Sequence, residues 1–142
     1  MAFVAAPNQD NKLPSPLPAN PDQLIGTCHC KRITVTVTAA PTKLNECRCS
    51  VCYQYGALWA YYPRDDVTVT AEEPGLKFYV RHDEYCNGDI GFYTCGHCGV
   101  LTHWWGQNGV EKRGGEWANM GVNARILGEK VVERCERKIE YV

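Results

Sequence analysis

Nine cysteines in 142 residues constrain this chain more than any other feature of it. They read Cys28-His-Cys30, Cys47-Arg-Cys49-Ser-Val-Cys52, Cys86, Cys95-Gly-His-Cys98 and Cys135. An odd count leaves a thiol over in any fully paired disulfide set, and bridges between such close neighbours are strained. Seven of the nine fall into three tight groups, the pattern that metal ions favour. The opening stretch Met1–Ala6 is apolar, but it is short and lacks the basic lead-in of a secretory signal. The expected compartment is therefore reducing and cytoplasmic, where clustered cysteines serve metals or catalysis.

Cys95-Gly-His-Cys98-Gly99 has the spacing of a zinc knuckle. Two thiolates three positions apart reach one ion only if the chain turns sharply, so positive φ values are expected at Gly96 and Gly99. Cys28 and Cys30, two apart in extended chain, project from one face. Together the pairs predict a closed, structural site of four thiolates. Cys47, Cys49 and Cys52 offer only three, on one loop. Three protein ligands with an open fourth position are the layout of a catalytic zinc. A second structural zinc, completed by Cys86, His82, His97 or His103, fits the sequence equally well, and a redox-active trio fits less well.

Charge separates some of these chemistries. Lys and Arg number 15 against 16 Asp and Glu, a formal net charge of −1. Ionising seven thiols and adding two Zn²⁺ carries the total to about −4, and leaves the three-cysteine site itself at about −1. That residual charge suits thiolate exchange better than the making of hydroxide from water. Arg48, inside the motif, is placed to offset it or to receive a substrate carboxylate; a solvated surface arginine is as good a reading. The near-neutral balance argues against a nucleic-acid partner. No apolar run approaches the ~20 residues of a membrane helix, so no membrane partner is expected.

Five of the eight prolines lie in residues 1–24, which excludes helix and central strand there. This segment reads as an extended arm packed on the body or on a neighbouring subunit. Its anchors would be Phe3 and Val4, or Leu13 and Leu17, and it offers a route to a homodimer. The zinc domain is then 25–142. Within it, Ile33–Thr38, Leu58–Tyr62, Val67–Thr70, Leu76–Arg81 and Ile90–Thr94 alternate apolar and polar residues as strands do. Turn residues punctuate them at Pro63–Asp66, Glu73–Gly75 and Asn87–Asp89. Ala124–Leu127 and Val131-Val132 read as a strand or as short helical turns, and Trp104, Trp105 and Trp117 as core or pocket aromatics. No amphipathic helix longer than three turns is visible. The expected fold is mainly β, two or three small antiparallel sheets held together by metal.

Gly26-Thr-Cys28-His-Cys30, then Cys47-x-Cys49-Ser-x-Cys52 with Gly56-Ala57, then Tyr93-Thr-Cys95-Gly-His-Cys98-Gly99 closely resembles the glutathione-dependent formaldehyde-activating family, which includes centromere protein V. The resemblance runs from about Gly26 to Leu127 and takes in Asn119–Arg125. It implies a β-tent fold, a structural zinc on Cys28, Cys30, Cys95 and Cys98, and an exchangeable zinc on Cys47, Cys49 and Cys52 at the active centre, two zinc ions per chain. It also implies the joining of glutathione, or another small thiol, to formaldehyde, formally a carbon–sulfur lyase run in reverse. The sequence departs from the family at Arg48, where many members carry His. In this enzymatic reading Tyr53, Tyr55 and Trp59 wall the pocket and Arg48 holds a carboxylate. The alternatives are a non-catalytic, zinc-stabilised binding module and a glutathione- or metal-buffering protein. An open fourth coordination position favours the enzyme, a filled one the module.

Overall fold

The computed structural model describes residues 22–142. The proposed arm anchors Phe3, Val4, Leu13 and Leu17 lie outside the described residues. The elements in chain order are β1 (Leu24–Thr27), β2 (Ile33–Val37), β3 (Lys43–Cys47), α1 (Ser50–Tyr55), β4 (Trp59–Pro63), β5 (Val67–Ala71), β6 (Leu76–His82), β7 (Asn87–Cys95), β8 (Leu101–Gly106), β9 (Asn119–Asn123), α2 (Glu129–Glu133) and β10 (Glu136–Glu140). They form two sheets, β1-β2-β5 and β10-β3-β4-β9-β8-β7-β6. The chain is mainly β, as its alternating patterns require. The larger sheet is wider than the sequence led us to expect, because β10 returns to lie parallel to β3 at its edge.

The alternation of β2 does its work in the small sheet. Ile33, Val35 and Val37 are fully buried, and Val35 and Val37 sit opposite Val69 and Val67 of β5. They pack against Leu44, Leu58, Ala60, Tyr62, Met120 and Val122, which belong to or flank the strands at the centre of the larger sheet. Each such aliphatic side chain contributes about 1.5–3 kcal/mol by leaving water, so this interface is the main core.

The opposite face of the large sheet carries a second apolar cluster of Cys49, Cys52, Ala57, Trp59, Phe92 and Leu101, with Ile90 and Trp104 packed against it. Strand β4 divides its side chains between the two faces with period two: Ala60 and Tyr62 join the main core, while Trp59 joins the second cluster. Adjacent Trp104 and Trp105 on β8 likewise part, one to each cluster. Trp104 lies across the backbone of β9 because position 121 is a glycine; a Cβ there would come within 2.5 Å of Trp104 Cδ1.

Two local expectations resolve at this level. Asn87–Asp89 opens β7 instead of forming a separate turn. Ala124–Leu127 is a 3₁₀ turn, and Val131-Val132 lies in α2, so the helical reading of this segment holds. Both helices are under two turns long.

Candidate functional site

The first cysteine group joins the turn after β1 to the turn between β7 and β8. Cys28, Cys30, Cys95 and Cys98 hold their sulfurs within 4.8 Å of one another. Cys30 Sγ is 3.7 Å from Cys28 Sγ and 3.6 Å from Cys95 Sγ. Four thiolates around a tetrahedral ion at the usual zinc–sulfur length of about 2.3 Å would have edges of about 3.8 Å, which these two separations match. Backbone N–H groups of His97 and Cys98 donate to Cys95 Sγ at 3.3 and 3.4 Å, and that of Ile33 to Cys28 Sγ at 3.3 Å. These donors favour sulfur as thiolate.

Burial pushes the Cys28 thiol up to about 12. Burial raises Cys30 as well, but hydrogen bonds from the backbone and side chain of Arg32 and from the neighbouring thiols outweigh it and bring Cys30 to about 7. The two knuckle glycines do different work. Gly99 has a φ of +81°, as the spacing demanded. Gly96 does not adopt a positive φ; it is needed because a Cβ would come 2.8 Å from the carbonyl oxygen of Gly75, which accepts the Gly96 N–H.

The second group is built by the end of β3 and the start of α1. Cys47, Cys49 and Cys52 hold their sulfurs within 4.8 Å of one another. Cys49 caps the helix, its sulfur accepting from the Cys52 N–H at 3.5 Å. The indole N–H of Trp59 donates to Cys52 Sγ at 3.4 Å. Arg81, on β6, donates from Nη1 to Cys49 Sγ at 3.5 Å and from Nε to Asp83 Oδ2 at 2.7 Å. Among the described residues no further His, Cys, Asp or Glu joins these three sulfurs. His103 stacks on Tyr93 with ring centres 4.6 Å apart and bonds Thr102. His82 pairs with Asn87, and His97 belongs to the other knuckle.

Electrostatics in this group converge on Cys49. Burial alone would raise its thiol, but the Cys52 N–H, the adjoining thiols and the Arg81 charge outweigh burial and hold it below the ordinary value. Cys47 and Cys52 are both raised, chiefly by burial. Arg81 is 5% exposed. Burial works against its charge, and the bonds to Asp83 and Cys49 more than compensate.

A hollow of about 220 Å³ opens onto the three sulfurs, walled by Trp59, Tyr61, Arg81, Phe92 and Trp104 among others. Of the residues expected at a substrate pocket, Trp59 lines it. Arg48 instead pairs with Glu46 at 2.8 Å and stacks between Tyr53 and Tyr141. Tyr53 is exposed, and Tyr55 packs on Phe92 at 5.5 Å. The buried cation at the site is Arg81, which the sequence did not single out. It ends the alternating run Leu76–Arg81, and a charge at the inward-facing end of a strand was the available signal.

The family model for the glutathione-dependent formaldehyde-activating enzyme matches residues 23–127. Among solved structures, the crystal structure of a Rhodobacter sphaeroides protein superposes with a TM-score of 0.61 at 22% identity, covering 81% of this chain and 100% of that one. At that identity the likeness concerns the fold. No curated protein matches the chain. No helix among the described residues is long and apolar enough to cross a membrane.

Proposed function

The chain belongs to the glutathione-dependent formaldehyde-activating family, and from that premise we propose that it is a zinc-dependent, carbon–sulfur lyase-type enzyme. In the forward direction a thiol S–H adds across the carbonyl of a small aldehyde, forming a C–S bond and moving the sulfur proton to oxygen. Glutathione is the thiol and formaldehyde the electrophile that the family implies. The observation that carries this reading is the three-sulfur group that no fourth protein ligand completes among the described residues, opening onto a hollow with a buried arginine in its wall.

Cys28, Cys30, Cys95 and Cys98 would hold the structural ion. Cys47, Cys49 and Cys52 would hold the working one. Zinc bound there would supply a Lewis acid and a template that favour the thiolate form of an incoming sulfur. The protein's own groups do the rest. Arg81 places a positive charge against Cys49 Sγ and offsets locally the negative charge of a three-thiolate zinc site, the role the sequence suggested for Arg48, while Asp83 balances the guanidinium from its other side. Trp59 fixes Cys52 through its indole N–H. Phe92 and Trp104 give the hollow apolar walls, which strengthen electrostatic interactions inside it.

The test is formation and breakdown of the glutathione–formaldehyde adduct, corrected for the fast uncatalysed reaction, in wild type and Cys49→Ser. We expect catalysis in the first and its loss in the second, with the four-cysteine metal retained. An unliganded thiol has a pKa of ~8.5 and is only a few per cent thiolate at neutral pH. Equal rates in both proteins would refute the thiolate mechanism. No catalysis in either, with the second ion fully ligated by protein, would leave the binding module.

A further inference from the structure

We propose that the hollow at the three cysteines and the larger cleft beside it form one elongated site for a peptide thiol, in which β10 recognises the part of the ligand remote from sulfur. This rests on the thiol-binding reading above and assigns Lys43, Asn45 and Lys138, for which that reading has no use. The cleft, about 640 Å³, runs along β3 and β10 and shares Tyr61, Ile90, Trp104 and Glu140 with the hollow. The combined space falls in the range of sites that take ligands of tripeptide size. Strand β10 lies beyond residue 127, where the family match ends.

Two buried polar atoms along this path have no hydrogen-bond partner, and they are of opposite kinds. Arg81 Nη2 is a donor without an acceptor, and Asn45 Oδ1 an acceptor without a donor. The orientation of the Asn45 amide is fixed, because Nδ2 donates to Glu140 Oε1 at 2.8 Å and to Tyr61 Oη at 2.7 Å; turned over, it would set oxygen against carboxylate. Such orphans are costly unless a ligand completes them. A peptide thiol carries both complements, an amide N–H for Asn45 and a carbonyl or carboxylate oxygen for Arg81. A small thiol with a single polar group lacks the length to complete both at once.

The far end of the cleft adds charge. Lys43 and Lys138 line it from the paired strands, and neither takes part in an ion pair within 4.0 Å among the described residues. They suit the terminal carboxylate of the peptide, with Glu136 nearby for an ammonium group. Trp104 floors the passage between the two ends.

The experiment titrates the zinc-loaded full chain with S-methylglutathione, followed by tryptophan fluorescence. A thioether cannot present a thiolate, so the signal reads the peptide alone. We expect saturable binding, weakened about tenfold by Lys138→Glu, Lys43→Glu or Asn45→Ala, as loss of a charge-assisted or buried hydrogen bond implies. Lys138→Gln should weaken it less. Metal content and far-UV spectra matching wild type certify each variant's fold. No saturable binding to wild type, or affinities within twofold across folded variants, overturns the proposal. Binding of the thioether by a protein that does not catalyse thiol addition would discard the enzymatic reading and keep this one. Equal kcat/KM for glutathione and 2-mercaptoethanol would do the reverse.

Discussion

Replacing Gly121 by alanine puts a methyl group where the indole of Trp104 already lies. The new Cβ would sit 2.5 Å from Cδ1 and 2.8 Å from Cε2, against an ordinary contact of about 3.5–4.0 Å. The obstacle is a rigid ring, and relief requires the indole to swing outward by more than 1 Å or β9 to shift against β8, to which it is paired at Gly121 and Trp104. Overpacking of this kind costs about 1–3 kcal/mol. Trp104 also makes an edge contact with Tyr61, ring centres 6.2 Å apart, whose loss adds about 0.5–1.5 kcal/mol. The two together span about 1.5–4.5 kcal/mol, and the middle of that range, about 2–4 kcal/mol, is the expected destabilisation. For a chain of this length that is roughly 6–12 °C in Tm. Thermal unfolding of the metal-loaded protein measures it, and a red-shifted tryptophan emission reports the displaced indole. Adding Trp104→Leu should recover at least about 1 kcal/mol in a double-mutant cycle, because the clash is pairwise. A Gly121→Ala protein with unchanged Tm and emission would show that the sheet absorbs the methyl group, and would remove the close approach as a constraint on the site.

Chelator challenge should strip the Cys47/Cys49/Cys52 ion first and leave the fold intact. Loss of the Cys28/Cys30/Cys95/Cys98 ion should unfold the domain, since a structural ion contributes folding energy directly; metal analysis alongside circular dichroism checks the order, and simultaneous loss would contradict it. Acid should also find a metal-independent weakness at His103, which burial, and then the nearby Arg64 charge, hold down to about 4. Below pH ~6.5 the unfolded chain takes up a proton that the folded chain refuses, so stability falls between about pH 6.5 and 4, by about 3 kcal/mol in all. Urea titrations at pH 7, 5.5 and 4.5 should show this slope flattened in His103→Gln, and equal slopes in both proteins would refute the assignment.

The two halves of the four-cysteine cluster and the three-cysteine cluster were legible because short-range spacing brings their sulfurs together, as at Cys95 and Cys98; the meeting of Cys30 with Cys95, 65 residues apart, is the work of the fold. Strand β2 was legible because its alternation faces a real core on one side. Arg81 was hidden for the opposite reason. It lies 32 residues from Cys49, and only the placement of β6 brings the two together. Arg48 looked better in sequence because it adjoins Cys47 and Cys49, but its side chain turns to Glu46. Strand β10, Glu-Arg-Lys-Ile-Glu, is exposed along its whole length. An edge strand joined through its backbone ladder leaves no periodic trace, so neither it nor the cleft it lines could be read in advance. Gly96 showed its requirement only when Gly75 was placed beside it.

The division of labour along β4 has an evolutionary corollary. Enzymes commonly trade stability for activity because changes near the chemistry also disturb the core. Here neighbouring positions on one strand answer to different demands: Tyr61 faces both hollows, while Ala60 and Tyr62 belong to the main core. Mutational drift at Tyr61, or at Trp104 across the same face, can reshape what the cavity accepts while the packing between the sheets stays as it was. The same scaffold can thus acquire new substrate preferences through one face of a sheet without first accumulating compensating changes on the other.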